Sequence, residues 1–232
     1  MTTRRAIQVT LGLCLAAGAT TRSGAAEGRY PEIGAYLMPR DAEVTLARSA
    51  APARLASRAT VKVLTKTGYV VASEGDNGMV CVVLRGFAAP TYTPAPFRDF
   101  VYDAAIRAPL CFAAPAAKMV LPYYELRTTL ALAGKTPDGI AAEVEKAYAT
   151  GVLPARTATS YGYMFSAHQH LGTGIGAWHP HMMVFVPYAD AATVGATPFG
   201  ETLPTVTDDA GTPFAVVVIP VDERQFVKRP TN

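Results

Sequence analysis

Two groups of three β-forming stretches, separated by a helical region, restrict the fold of this chain more than any other feature. Residues 60–65, 69–72 and 79–84 are rich in Val, Thr, Tyr and Cys and are punctuated by Lys66-Thr67-Gly68 and by Asn77-Gly78. Such runs bounded by turn residues read as strands, and Asn-Gly tolerates the positive φ of a tight turn. The three are expected to form an antiparallel meander, the third strand being apolar enough on both faces to lie centrally. Residues 160–166, 181–186 and 214–221 supply three more strands. The order β-β-β-α-α-β-β-β predicts a single α+β domain with one antiparallel sheet of five or six strands and helices packed on one face.

The intervening helices have identifiable ends. A short helix should open at Met38-Pro39-Arg40-Asp41, with Asp41 as N-cap and Glu43 in the first turn, and stop before Pro52. A longer one over residues 114–133 should break or bend at Pro122, since proline lacks an amide hydrogen and clashes with the preceding turn. Thr136-Pro137-Asp138 places an N-cap threonine before a proline at the first helical position, and Ile140, Ala141, Val144 and Tyr148 then recur on one face. Asp190 is a further N-cap. Residues 88–98, rich in proline, read as an extended loop packed on the same core.

Arg4 and Arg5 precede an apolar run from Ala6 to Ala19, and small residues follow at Ser23-Gly24-Ala25-Ala26. This is the layout of a cleaved secretory signal over residues 1–26, leaving 27–232 as the domain. Thr3 to Gln8 loosely matches a twin-arginine signal, with an ordinary secretory signal as the alternative. Removing that segment removes three arginines and no acid, so 21 basic and 18 acidic residues become 18 against 18. A neutral domain offers no field for nucleic acid, and no membrane attachment is expected after cleavage. Loss of Cys14 leaves Cys81 and Cys111. In an oxidising compartment these can pair, closing a loop of roughly 30 residues and adding about 3 kcal/mol; two buried free thiols are the alternative.

All four histidines fall within fourteen residues, as His168-Gln169-His170 and His179-Pro180-His181, beside the only tryptophan, Trp178. Residues i and i+2 of a strand share a face, so each pair can present two imidazoles together. With residues 171–178 as a glycine-rich hairpin loop, the pairs would lie on neighbouring strands and face one another. His179, His181, His168 and His170 are therefore the expected ligands of a transition metal, zinc, copper or iron, since neutral imidazole suits all three. His179 and His181 are favoured, because Pro180 fixes the backbone between them and a strand follows. The other use of such histidines is hydrogen bonding to backbone. Gly172-Thr173-Gly174-Ile175-Gly176 is no phosphate-binding loop, since no helix follows it. Ser166, two residues from His168, lacks the elbow motif of a nucleophilic serine. A metal-free domain whose sheet encloses a small apolar ligand is the second reading, and a sheet core filled by side chains would count against it.

Several segments carry a family likeness: Met38-Pro39-Arg40, Ala47 to Pro52, Asn77-Gly78 before a cysteine strand, and Arg107 to Phe112. The most specific is Gly176-Ala177-Trp178-His179-Pro180-His181, continuing to Pro187. Together they resemble an uncharacterised family of exported bacterial proteins with a Trp-His-Pro-His motif. The resemblance implies export and the domain boundaries and implies no particular reaction. It extends to His179 and His181 and not to the first pair.

Overall fold

A computed structural model of the chain describes residues 29–90, 97–195, 204–206 and 209–221. The expected signal segment, residues 1–26, and most of the proline-rich loop lie outside them. Among the described residues one mixed sheet of eight strands organises the domain: β1 (Thr60–Thr65), β2 (Gly68–Ser73), β3 (Val80–Leu84), β4 (Ala108–Phe112), β5 (Ser160–Met164), β6 (His181–Phe185), β7 (Thr205–Val206) and β8 (Val216–Pro220), in the order β2-β1-β3-β4-β5-β6-β8-β7. The helices are α1 (Arg40–Arg48), α2 (Ala53–Ala56), α3 (Ala114–Met119), α4 (Leu121–Leu132), α5 (Pro137–Ala149) and α6 (Ala191–Val194).

The sheet is larger than the expected five or six strands, and the first three strands are not a meander. β1 and β2 form the antiparallel hairpin, but β3 pairs with β1 in parallel, Thr60 opposite Val80 and Val61 opposite Cys81. Burial decides this arrangement. On β2, Val70 and Val71 are exposed, so β2 suits an edge, whereas Val82 and Val83 of β3 are buried on opposite faces and require neighbours on both sides. The added strand β4 contains Pro109, which reads against a central position. Pro109 faces Val83 of β3 and lies outside the two-residue ladder, Cys111 opposite Tyr163 and Phe112 opposite Gly162, that joins β4 to β5.

Helices cover both faces, not one. On one side α1 packs over β1, β3 and β4 through Ala47, Val61, Cys81, Val83 and Cys111. Cys81 and Cys111 stand directly opposite in the β3–β4 ladder and form a disulfide. On the other side α3, α4 and α5 lie against Val82, Leu84, Leu110, Phe112 and Phe185. The helical region breaks between α3 and α4 just before Pro122, and Thr136 Oγ1 caps α5 by accepting from the Gly139 amide at 3.2 Å. Asp190 and Thr193 form a reciprocal capping box on α6. Asp41, by contrast, is not the cap of α1: Pro39 holds that position, and the helix begins two residues earlier.

Glu43 of α1 is drawn into the interior by Arg85, both side chains being 0% exposed with N···O 2.9 Å. Glu43 Oε1 also accepts from the Leu64 amide at 3.1 Å, while Arg85 donates to the Tyr36 carbonyl at 2.7 Å and to the Val83 carbonyl. A buried pair is held by such added hydrogen bonds, since the Coulomb attraction alone barely offsets desolvation of two charges.

Candidate functional site

Beyond the reach of α4, the same face of the sheet is roofed by loops, and a cavity of about 580 Å³ opens there. Its floor is the inner side of the strands. Register places His181 opposite Met164 and Pro220, and Met183 opposite Gly162 and Val218, so His181, Met183, Met164 and Val218 share that face with Leu110 and Leu84. Phe97 and Phe100 of the 3₁₀ segment Phe97–Tyr102 form one wall with Ile106, and Tyr124 of α4 forms another. The roof is the glycine-rich loop, which contributes Leu171, Ile175 and Trp178.

That loop is closed on itself, with the Leu171 amide bonded to the Gly176 carbonyl at 2.8 Å and the Gly176 amide to the Gly172 carbonyl at 2.9 Å. Gly172 has φ +117° and lies against Phe100 and Ile106, so a side chain there would be strained and would crowd the wall. The buried Gln169 amide ties the loop's far end, donating to the Trp178 carbonyl at 2.6 Å and the His179 carbonyl at 3.3 Å.

The four histidines part company around this loop. After β5 the chain leaves the sheet: the Phe165 amide bonds to Ala50, Ser166 is buried and bonds to Ser49 Oγ at 2.7 Å, and the His168 amide donates to Ser166 Oγ. His168 is exposed and borders a shallow depression with Asp41 and Thr45 of α1. His170 pairs through its backbone with Arg107, 2.8 Å in each direction, and not with β6. His179 precedes the strand and is exposed, whereas His181, its first residue, is 2% exposed. Only the second pair shares a neighbour, the Trp178 ring lying 5.9 Å from the His179 ring and 4.8 Å from that of His181. Among the described residues no three His, Cys, Asp or Glu side chains form a group able to hold a metal. Glu125 pairs with Lys62 at 2.5 Å and Asp103 accepts from the Ala105 amide at 2.8 Å, so neither supports an imidazole.

His181 carries the site's chemistry. Its Nδ1 lies 2.7 Å from the His179 carbonyl oxygen, and a carbonyl only accepts, so Nδ1 bears the proton and Nε2 the lone pair. Burial pushes the imidazole down to about 4, the His179 carbonyl bond opposing this and the His179 ring adding to it. At neutral pH the cavity therefore presents an uncharged acceptor. The Tyr124 hydroxyl is kept protonated, burial raising its pKa. The remaining polar groups are engaged: Arg85 with Glu43 and two carbonyls, and Thr212 Oγ1 with the Asp209 carbonyl at 2.6 Å and the Phe214 amide at 3.1 Å.

His181 and Trp178 stood out in the sequence, but their other companions in the cavity did not. Met164, Met183, Leu171 and Ile175 carry no signal beyond being apolar, and Tyr124 lies on a helix chosen for its packing.

No family model, curated protein or solved structure matches this chain. Fold and site together define an α+β domain with a mixed sheet, helices on both faces and an apolar cavity holding one neutral buried histidine.

Proposed function

We propose that this protein binds a small, predominantly apolar molecule in the cavity beneath the glycine-rich loop. The observation that carries the reading is an apolar space of about 580 Å³ above the sheet, where a packed domain would be filled by side chains. Its size falls within the roughly 300–1,000 Å³ of ligand sites, and such sites pair apolar walls with a few placed polar atoms. Export of the domain is part of the proposal, supported by the Cys81–Cys111 disulfide, since such bonds persist in oxidising compartments.

The neutral probe phenylnaphthylamine tests it. Its fluorescence should rise on saturable binding to the folded protein, while Trp178, in the cavity roof, transfers energy to it. Filling the floor with Val218→Trp should abolish the rise. Absence of saturable binding to a folded wild-type protein, or binding unchanged in the filled variant, would overturn the reading.

A transition-metal reading through His179 and His181 draws support from one feature. The His179 carbonyl fixes the His181 tautomer with Nε2 unprotonated, as metal-bound histidines are commonly fixed. Zinc, copper or iron would then need further ligands beyond this pair. Elemental analysis of untagged protein decides it: metal near one ion per chain, lost in His179→Ala/His181→Ala, supports this reading, and metal-free protein whose probe binding is intact rejects it.

A further inference from the structure

The polar atoms of the cavity wall carry information about the ligand's head group. Nε2 of His181, an acceptor, and the hydroxyl of Tyr124, a donor as well as an acceptor, have no hydrogen-bond partner among the described residues. Arg127 and Arg156 act on the Tyr124 hydroxyl from outside the lining, Arg127 held by the Phe87 and Ala89 carbonyls and Arg156 by the Tyr148 hydroxyl, and among the lining residues the one cation is Arg85. Arg85 lines the cavity, but its charge is opposed by Glu43 at 2.9 Å and its other nitrogens are taken by carbonyls.

We propose that the cavity selects an uncharged, hydroxyl-bearing apolar molecule, an alcohol or a phenol, over the carboxylate of the same carbon skeleton. This rests on the reading of the cavity as a ligand site. An alcohol matches either open atom, donating its hydrogen to Nε2 or offering its oxygen to the Tyr124 hydroxyl. A carboxylate can only accept, so at Nε2 it would face another lone pair and would be desolvated with no unopposed cation on the lining. An ammonium group could donate to Nε2, but it too would lose its hydration, with Asp209 as the only carboxylate on the described wall to compensate.

Competition at neutral pH against bound phenylnaphthylamine separates these cases, using decanol, decanoate and decylammonium below their micelle concentrations. Decanol is expected to displace the probe at a concentration at least about tenfold below decanoate, since an unpaired buried polar group costs about 1–3 kcal/mol. Tyr124→Phe, which keeps the ring, and His181→Leu should each reduce that preference several-fold, the first with probe affinity retained. Decanoate equal to or better than decanol, decylammonium best of the three, or a preference unchanged in both variants would each overturn the proposal. Probe binding in wild type with no head-group preference rejects this inference alone, whereas a failure of the probe to bind rejects the site itself.

Discussion

On the β1–β3–β4 side both faces of the sheet are covered, α1 on one and α3 to α5 on the other. That half also holds the disulfide and the buried Glu43–Arg85 pair. On the β5–β6–β8 side one face carries the floor of the cavity, which reaches Leu84 of β3 and Leu110 of β4, and the other face is only partly covered, leaving Tyr161 and Ile219 exposed. The same sheet thus runs from a close-packed half to a half whose interior is unfilled. Stability is concentrated in the first half and recognition in the second, an arrangement in which ligand contacts can change with little effect on the fold.

The strongest way to break this comparison is at the buried ion pair. Arg85→Met leaves Glu43 buried without its partner and is expected to lower unfolding free energy by about 4 kcal/mol in denaturant titrations, with Glu43→Leu/Arg85→Met recovering most of it. A loss confined to about 1 kcal/mol would show that this half is not the anchor. Next in size, Cys81→Ala/Cys111→Ala is expected to cost about 3 kcal/mol while leaving probe affinity unchanged. Loss of probe binding by the still-folded variant would couple the halves.

His181 gives a pH signature to the cavity half. Its folded value of about 4 lies below the ordinary 6.5, so the unfolded chain binds more protons between the two and stability falls as pH drops through that window. Between neutrality and pH 5 the loss should be on the order of 2 kcal/mol, and His181→Leu should remove that increment. An identical pH profile for wild type and variant would place the titration elsewhere. The smallest contrast is a matched pair of truncations. Val82→Ala in the packed half should cost about 2 kcal/mol, whereas Val218→Ala, beside space that already exists, should cost under about 1 kcal/mol. Equal costs would mean that the cavity floor is as tightly packed as the core.

Much of this architecture was legible in the residues. Strands β1, β2, β3, β5, β6 and β8 follow their expected β-forming stretches, the break before Pro122 and the caps at Thr136 and Asp190 follow local chemistry, and the two cysteines pair. What stayed hidden depends on contacts distant in sequence. β4 was obscured by Pro109, which is tolerated because β5 is not paired there. The parallel pairing of β1 with β3 reflects burial of Val82 and Val83, not any turn signal. The histidine clustering drew attention to the right loop, yet among the described residues the four side chains do not gather into one group: His168 and His179 are exposed, His170 pairs through its backbone with Arg107, and Pro180 leads His181 into the sheet. The cavity had no local signal, because it is formed by what the roof leaves uncovered.

The central claim rests on which face of β6 meets a ligand, and two neighbouring methionines report on opposite faces. Met183 lines the cavity with Met164, while Met182 pairs with Tyr163 and Ile219 on the other side. NMR of isotope-labelled methionine methyl groups, recorded while phenylnaphthylamine is titrated into the folded protein, reads both at once. The account requires the Met164 and Met183 signals to shift saturably while those of Met182 and Met38 stay in place. Shifts at Met182 with Met183 unmoved, or no shift at either, would contradict it.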